Sequence, residues 1–368
     1  MKFKCNQKNL ASAISTIQRA ISSRITLPIL EGFLIEAKDN MVRLVGTDLD
    51  LITIQTFISA EVTEEGSVVM PSRVFGDVIR KLPEADIDVQ LGERFQVDIK
   101  CQSTFITVQG LDPNEYPEVQ QIEDKQPIQI QQDTLRSMIQ QSIFAVASDE
   151  TRPVLTGALI EIQNDSINIV CLDGYRLALR KEHLPDVTED ISMIVPGKAL
   201  NEISRILSED ETNVNIIVGD KHVIFDIGHT QIISRLLEGD FVNYRQIIPQ
   251  EYKTRVKLDT LLLHQSIERA SLMARELENN LIKLNIQDDK LIITSNSEIG
   301  KIYEEIPIVL EGKNLEIAFN ARYMLDVLKV MKDEEICLDF TTNVSPCIIR
   351  PIEGEEFCYL VLPVRLYN

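Results

Sequence analysis

Residues 196–207 read PGKALNEISRIL, and two other stretches of the chain repeat their pattern. Residues 71–82 read PSRVFGDVIRKL and residues 320–331 read NARYMLDVLKVM, so the offsets are 125 and then 124 residues. In each stretch apolar side chains recur at i, i+3 and i+7, which predicts one buried face of an amphipathic helix. The apolar positions are Phe75, Val78 and Leu82, then Leu200, Ile203 and Leu207, then Met324, Val327 and Met331.

A cation stands near the start of each of these helices: Arg73, Lys198 and Arg322. A positive charge in the first turn of a helix opposes the helix dipole, so its own helix gives it no electrostatic stabilisation. Three such placements in register indicate an anionic partner outside the helix. The alternative is that all three are solvated surface side chains whose stems lie along the protein.

The repeat extends beyond this helix. The segment LEGFLIE at 30–36 returns as LTGALIE at 155–161, while NLIKLNIQDDKLIIT at 280–294 keeps the strand pattern but loses the glycine. A period near 125 residues is too long for a solenoid and is typical of tandem domains. We predict three domains, separated by polar, proline-containing links. Their bounds are 1–122, 127–249 and 251–368.

Each copy has the same internal order. A short alternating strand is followed by a polar N-cap, which is Asn6, Asp133 or Asp259, and then by a helix. Strands with tight turns, the second helix and further strands complete the copy. This order predicts an α+β protein with two strand–helix–strands units in each domain. The six predicted helices cover residues 7–24, 72–82, 132–147, 197–207, 259–275 and 320–332.

The charge is unevenly distributed. The 368 residues carry a formal net charge of −20, which taken whole argues against a nucleic-acid-binding protein. The six predicted helices carry +8, so the rest of the chain carries −28. If the helices share one surface, that surface attracts phosphate while the remainder repels it.

Several classes of site have no signature here. The six cysteines form no CxxC pair, the four histidines lack metal-ligand spacing, and no phosphate-binding or nucleophile motif occurs. We expect no metal or cofactor. With no signal-peptide pattern and no apolar run long enough to span a membrane, we expect a cytoplasmic protein with reduced thiols.

Asp48 and Asp173 recur in register after strands and are predicted to hold turns. The alternative is an acidic multi-domain hydrolase that uses one of them.

Four segments carry a family resemblance: Arg24 with TLPIL at 26–30, PSR at 71–73, LDGYRL at 172–177, and YLVLPVRL at 359–366. Over its whole length the chain resembles the bacterial DNA polymerase III β subunit, the sliding-clamp family. The resemblance implies a closed ring made by a head-to-tail dimer, with helices lining the hole and sheets outside. It also implies a non-catalytic function: encircling duplex DNA and tethering the replicative polymerase, the clamp loader and repair proteins.

The resemblance assigns DNA contacts and a dimer contact. The DNA-binding residues are expected to be Arg24, Arg73, Arg80, Lys198 and Arg205. Asp149 and Gly197 depart from the family pattern, because polar or basic residues are common there, and Asp149 repels phosphate. At the dimer contact, Phe105 on an edge strand is expected to pack against Leu272 and Met273 of the other chain.

The apolar end of the chain needs a cover, and the resemblance places it in a groove for partner peptides. An apolar groove with a few polar side chains at its rim suits a short extended peptide with two or three apolar anchors. Gly174 lets a peptide backbone approach, and Arg176 and Arg365 are expected to hold carboxylates or carbonyls. Alternatively, the last strand simply completes the third domain's core. The assigned residues are Arg152, Leu155, Leu172, Gly174, Tyr175, Arg176, Leu177, Val242, Gln246, Ile247, Asn320, Tyr323, Val344, Pro346, Leu360, Leu362, Pro363, Val364 and Arg365.

Overall fold

The computed structural model describes residues 1–21, 27–119, 126–185, 190–275, 280–298 and 300–365. The first repeat contains β1 (Lys2–Asn6), α1 (Gln7–Ile17), β2 (Gly32–Lys38), β3 (Met41–Thr47), β4 (Ile52–Ser59), β5 (Glu61–Glu64), β6 (Gly66–Pro71), α2 (Ser72–Lys81), β7 (Asp86–Leu91), β8 (Gln96–Cys101) and β9 (Thr104–Gln109).

The second repeat contains β10 (Ile128–Gln131), α3 (Gln132–Gln140), β11 (Gly157–Gln163), β12 (Ser166–Leu172), β13 (Arg176–His183), β14 (Ile191–Pro196), α4 (Gly197–Ile206), β15 (Asn213–Val218), β16 (His222–Ile227) and β17 (Thr230–Arg235). The third contains β18 (Thr254–Asp259), α5 (Thr260–Ala274), β19 (Leu281–Gln287), β20 (Lys290–Ser297), β21 (Gly300–Pro307), β22 (Val309–Gly312), β23 (Leu315–Asn320), α6 (Ala321–Leu328), β24 (Glu335–Phe340), β25 (Cys347–Pro351) and β26 (Phe357–Val361). The predicted order of two strand–helix–strands units per repeat is confirmed.

Local sequence explains where the helices begin. The Asn6 carboxamide accepts a hydrogen bond from the backbone N–H of Lys8 at 3.0 Å, and the Asp259 carboxylate accepts one from the N–H of Leu262 at 2.8 Å. Both predicted N-caps are confirmed, since each satisfies a free N–H of the first turn. The prediction for Asp133 was wrong, because α3 already begins at Gln132 and Asp133 lies inside its first turn.

Three helices are shorter than predicted. Helix α1 ends at Ile17 and is followed by a 3₁₀ turn over Gln18–Ala20, while the predicted end of this helix at Arg24 lies outside the described residues. Helix α3 ends at Gln140, two residues before Ser142, whose hydroxyl donates to the Met138 carbonyl at 2.8 Å. Helix α6 ends at Leu328, which leaves Lys329 and Lys332 outside. The helices therefore carry less positive charge than predicted, although α2 keeps Arg73, Arg80 and Lys81 against Asp77.

Most positions of the predicted apolar faces are buried, although Val78 and Met331 are only partly buried. Phe75 on α2, Leu200 and Ile203 on α4, and Met324 and Val327 on α6 have no exposed surface. Burial of a large apolar side chain contributes about 1.5–3 kcal/mol, so this face stabilises each helix against its sheet. None of the helices in the described ranges is long and apolar enough to span a membrane.

The strands form four sheets in the described part of the chain. Their orders are β5-β1-β7-β8-β9, then β10-β15-β16-β17-β4-β3-β2-β6, then β14-β11-β12-β13-β26-β25-β24-β18-β22, then β21-β20-β19-β23. Two antiparallel pairs join one repeat to the next: β17 with β4 and β13 with β26. By the same order, β9 and β21 end their sheets without a neighbour among the described strands.

Glycine recurs where two strands approach closely. Gly157 lies opposite Pro196, and a Cβ at this position would lie 2.7 Å from the Val195 carbonyl oxygen. Gly32 occupies the same place opposite Pro71 in the first repeat, where a Cβ would lie 2.8 Å from a carbonyl oxygen. Real Cβ atoms do not approach this closely, so the pairing requires glycine there.

We expect Gly157→Val to destabilise the chain by about 1–3 kcal/mol, because the added carbons displace the strand that carries Val195. Chemical unfolding followed by circular dichroism measures this change. The matched control is Ser192→Val, at an exposed position on β14. A surface substitution of this kind should shift the free energy of unfolding by about 0.5 kcal/mol or less. Equal stabilities for the two variants would contradict the requirement for glycine.

Candidate functional site

Four of the predicted groove residues form a buried floor. Leu155, Leu172, Leu177 and Leu360 belong to one apolar cluster that also contains Tyr244. Leu177 on β13 lies directly opposite Leu360 on β26, which brings the second and third repeats together at this point. Leu360 of the last strand therefore belongs to a core made mostly of second-repeat residues. The strand does more than complete the third domain's core, which was the alternative interpretation.

An exposed apolar rim accompanies this floor. Tyr175 is 59% exposed and Val344 is 61% exposed. The chain end is anchored beside them, because the backbone N–H of Leu362 donates to the Tyr175 carbonyl at 2.9 Å and that of Val364 donates to Ala318 at 2.8 Å. The other predicted rim residues are at least partly exposed: Arg152, Val242, Gln246, Ile247, Asn320, Tyr323, Pro346, Leu362, Pro363, Val364 and Arg365.

The turn after β12 is shaped by one carboxylate. Asp173 Oδ1 accepts hydrogen bonds from the backbone N–H groups of Tyr175 at 2.9 Å and Arg176 at 3.0 Å. Gly174, between Asp173 and Tyr175, has φ +93°, and apart from its chain neighbours no atom of the described residues lies within 4 Å of where its Cβ would be. Glycine adopts this conformation without strain, so the turn leaves open space beside its backbone.

The equivalent carboxylate in the first repeat also holds a turn. Asp48 Oδ1 accepts from the backbone N–H groups of Leu51 and Ile52, each at 2.9 Å. The prediction that Asp48 and Asp173 hold turns is confirmed. The hydrolase alternative depended on these two carboxylates and has no further observation in its favour.

Arg176 is engaged within the chain. Its Nε donates to Asp173 Oδ2 at 3.0 Å, its Nη1 donates to Asp326, and its guanidinium lies 4.8 Å from the centre of the Tyr323 ring and 5.5 Å from that of Phe144. A ligand carboxylate would compete with Asp173 and Asp326 for this nearly buried cation, and its role in ligand binding stays a prediction. Arg365 remains an exposed cation at the rim.

Sequence reasoning missed several residues that build the site. Asp326 and Phe144 hold Arg176, although they are far from it in sequence. Tyr244 is buried and donates to Glu161 at 2.7 Å, and burial is the main cause that raises its pKa. Tyr244 lies between Val242 and Gln246, which were both assigned to the groove. The alternation of side chains along this segment was the one signal in the sequence that could have indicated Tyr244.

The predicted DNA-binding cations divide into two kinds. Arg73 and Lys198 are exposed, and neither forms an ion pair with another described residue. Arg80 pairs with Asp77 at 2.7 Å, and Arg205 pairs with Glu202 at 3.4 Å. Arg24 lies outside the described residues. A phosphate would therefore compete with carboxylates for Arg80 and Arg205, but not for Arg73 and Lys198.

Asp149 keeps its negative charge. It accepts hydrogen bonds from the backbone N–H of Thr151 at 2.9 Å and from the Thr151 hydroxyl at 2.7 Å. These bonds favour the carboxylate and lower the pKa of Asp149. The charge that departs from the family pattern is thus present at neutral pH.

Comparison with known proteins decides the family. Models of the DNA polymerase III beta subunit match residues 1–120 as its N-terminal domain, 129–243 as its central domain and 245–365 as its C-terminal domain. The chain belongs to this family. The three-domain α+β clamp fold that was predicted is confirmed, and the chain is a DNA sliding clamp, a non-catalytic processivity subunit.

Individual clamps agree along the full length. The beta sliding clamp of Staphylococcus aureus (strain Mu50) is 38% identical over 376 residues, covering all of both chains. The crystal structure of the sliding clamp from Bacillus subtilis matches with a TM-score of 0.97 at 37% identity, again over all of both chains. The sliding clamp from Pseudomonas aeruginosa bound to griselimycin matches with a TM-score of 0.94 at 27% identity, also over all of both chains.

The residues predicted for the clamp's dimer contact are available for it. Phe105 on the sheet-ending strand β9 is 66% exposed, Leu272 on α5 is 52% exposed, and the neighbouring Met273 is partly buried. On β9, however, Val108 is buried while Phe105 points to the opposite face. Phe105 therefore lies on the outer face of its sheet, away from the core side.

We expect Arg176→Gln to lower the free energy of unfolding by about 3 kcal/mol, because it leaves Asp173 and Asp326 without their cation. Arg365→Gln is the matched control, since this exposed arginine has no partner among the described residues. It should change stability by about 0.5 kcal/mol or less. Urea unfolding compares the two. A fully stable Arg176→Gln protein would show that these two ion pairs do not stabilise the fold.

Proposed function

We propose that two copies of this clamp close head to tail around duplex DNA, and that partner proteins bind the groove beside the chain end. The domains of each copy are 1–122, 127–249 and 251–368, and the protein works in the cytoplasm. The observation that carries the proposal is a buried leucine cluster that includes Leu172 and Leu177, with the exposed Tyr175 in the turn between them. The full-length likeness to known sliding clamps supports the clamp itself.

The proposed DNA contacts are Arg24, Arg73, Arg80, Lys198 and Arg205, all of them to phosphate. Cations on helices give sequence-blind contacts, and weak contacts permit sliding. Arg73 and Lys198 contribute most, because their charges are not neutralised within the described chain. Asp149 weakens the contact locally. The protein then stays on DNA because the closed ring encircles the duplex, rather than because it binds phosphates tightly.

We expect the double reversal of Arg73→Glu with Lys198→Glu to weaken DNA binding at low salt. The plot of log K against log salt should become shallower by about one unit for each phosphate that the protein no longer binds. Fluorescence anisotropy on a labelled duplex measures this slope. The matched control is Lys100→Glu with Lys283→Glu, two exposed cations on the strands β8 and β19, which should leave the slope unchanged. Equal slopes for both double variants would contradict the assignment.

The groove suits a short extended segment that carries leucine or phenylalanine anchors and glutamine. Leu155, Leu172, Leu177 and Leu360 supply the floor, and the exposed Tyr175 supplies an aromatic side wall, stacked on Tyr323 at 5.8 Å between ring centres. Apolar anchors in such pockets contribute most of the binding energy in peptide recognition. Polymerase, clamp loader and repair proteins would then compete for one groove.

We expect deletion of residues 362–368 to abolish binding of such a peptide while the ring still assembles. The deletion removes the rim residue Leu362 and the two backbone hydrogen bonds that anchor the chain end to Tyr175 and Ala318. Calorimetry with a glutamine- and leucine-containing peptide measures the affinity. Deletion of 366–368 alone is the matched control and should keep it. Undiminished affinity in the longer deletion would place the groove elsewhere.

A further inference from the structure

We propose that the clamp carries a second docking pocket, at the junction where β17 pairs with β4, for a segment of a partner protein that bears one apolar side chain flanked by lysine or arginine. The pocket has a volume of about 90 Å³. It shares its construction with the groove proposed above, which lies where β13 pairs with β26, but the two sites share no residue. The second site therefore stands or falls independently of the first.

The two junctions are built alike around these sites, because matching residues lie directly opposite one another in both. In the first junction the row is Thr47, Thr53 and Ile233, and in the second it is Leu172, Leu177 and Leu360. Beside the first row, the backbone N–H of Arg235 donates to the Leu51 carbonyl at 3.1 Å. The equivalent bond beside the second row joins Leu362 to Tyr175. The pocket residues thus occupy the places that groove residues occupy in the other junction.

The side chains at these places differ, so the two sites select different partners. Thr47 and Thr53 stand where the groove has leucines, and their hydroxyls hydrogen-bond each other at 2.7 Å. Apolar lining remains at Leu51, Ile233 and Val119. The pocket therefore offers less apolar surface than the groove, which suits a single apolar anchor.

A leucine in a strained conformation stands in the turn beside the pocket. This turn, between β3 and β4, is one residue longer than the turn between β12 and β13. Leu49 in this turn has φ +67°, which is rare for a bulky side chain. The turn is held by the Thr47 hydroxyl, which accepts from the N–H of Leu49 at 3.0 Å, and by the Asp48 carboxylate. Leu49 is nevertheless 46% exposed and lines the pocket, and strained residues of this kind cluster at binding sites.

The charge of the lining decides the occupant. Asp50 and Glu118 are exposed, and neither forms an ion pair with another described residue. Arg235 and His222 lie on the strands β17 and β16. Burial, and then the charges of Arg235 and Lys221, lower the pKa of His222, so this imidazole is neutral at neutral pH. Two carboxylates thus outnumber one cation among the described lining residues, and the chain as a whole carries −20, so a cationic segment is attracted.

The pocket accordingly divides the work of binding. The apolar side chain of the partner packs against Leu49, Leu51 and Ile233, while its lysines or arginines reach Asp50 and Glu118. Ion pairs at exposed carboxylates are individually weak and are screened by salt. Binding is therefore salt-dependent, and the apolar anchor is needed as well as the charges.

Fluorescence anisotropy with the full-length clamp tests the pocket. The probe is a labelled peptide with a leucine between two lysines, and its comparison peptides carry glutamate for lysine or serine for leucine. Asp50→Lys with Glu118→Lys reverses the two carboxylates. Leu49→Asn removes the apolar side chain, and asparagine adopts the left-handed conformation readily. The matched control is Glu211→Lys with Glu316→Lys, exposed carboxylates elsewhere whose reversal changes the net charge equally.

We expect the lysine- and leucine-containing peptide to bind at low salt, and each pocket variant to weaken it by about tenfold or more. The control double variant should bind nearly as tightly as the native clamp, and circular dichroism verifies that each variant is folded. Either comparison peptide should bind the native clamp more weakly, which tests the pocket without any substitution.

Three results overturn the second pocket. They are no binding by the native clamp, equal weakening in both double variants, and equal binding of the serine-containing peptide. Loss of binding on deletion of residues 362–368, or competition by the glutamine- and leucine-containing peptide, overturns it too, because the probe then occupies the groove proposed above. That groove keeps its own test in every case, so the two proposals fail separately.

Discussion

The clamp depends on strand pairing between repeats. An antiparallel pair leaves no backbone N–H or C=O of its inner edges unsatisfied, and unpaired edges invite the wrong neighbours. The β17–β4 and β13–β26 pairs meet this requirement at two places within the chain. Each pair also places apolar residues opposite each other, Ile232 with Ile54 and Tyr359 with Ala178. Two leucines of the proposed peptide groove, Leu177 on β13 and Leu360 on β26, lie opposite each other in the second pair.

The groove owes its form to a division of roles among nearby side chains. Asp173 holds the turn, and Arg176 is held between Asp173 and Asp326 against two aromatic rings. These internal contacts fix the backbone around Gly174 and leave Tyr175 exposed. In the proposed groove a partner peptide would meet a surface fixed in this way, which lowers the ordering cost of binding. The same junction would then both stabilise the fold and receive partners.

Much of the fold was predictable because its signals are local or repeated. The three copies of the amphipathic helix, the caps Asn6 and Asp259 and the turn role of Asp173 each follow from residues within a few positions of one another. Helix ends were less predictable. Just beyond the end of α3 the Ser142 hydroxyl donates to the Met138 carbonyl. Local side-chain contacts of this kind compete with the backbone bonding of a helix, so a helical pattern alone does not locate the end.

The site was predictable as a region but not in its chemistry. The resemblance named segments that the structure brings together, such as Leu177 and Leu360. Nothing near Arg176 in sequence indicates that Asp326, 150 residues away, neutralises it. Nor does an apolar stretch alone show which leucines form the floor and which side chains form the rim. Phe105 illustrates the same limit, since its face on β9 is set by the register of a whole sheet.

The central claim is that this chain stays on DNA by encircling it. The most direct test places the protein on nicked circular duplex with a clamp loader and separates bound from free protein by gel filtration. The DNA is then cut once. The account predicts that the protein co-elutes with the circle at high salt, where phosphate contacts are weak, and is lost after linearisation. Equal retention on circular and linear DNA, or none on the circle, would contradict it.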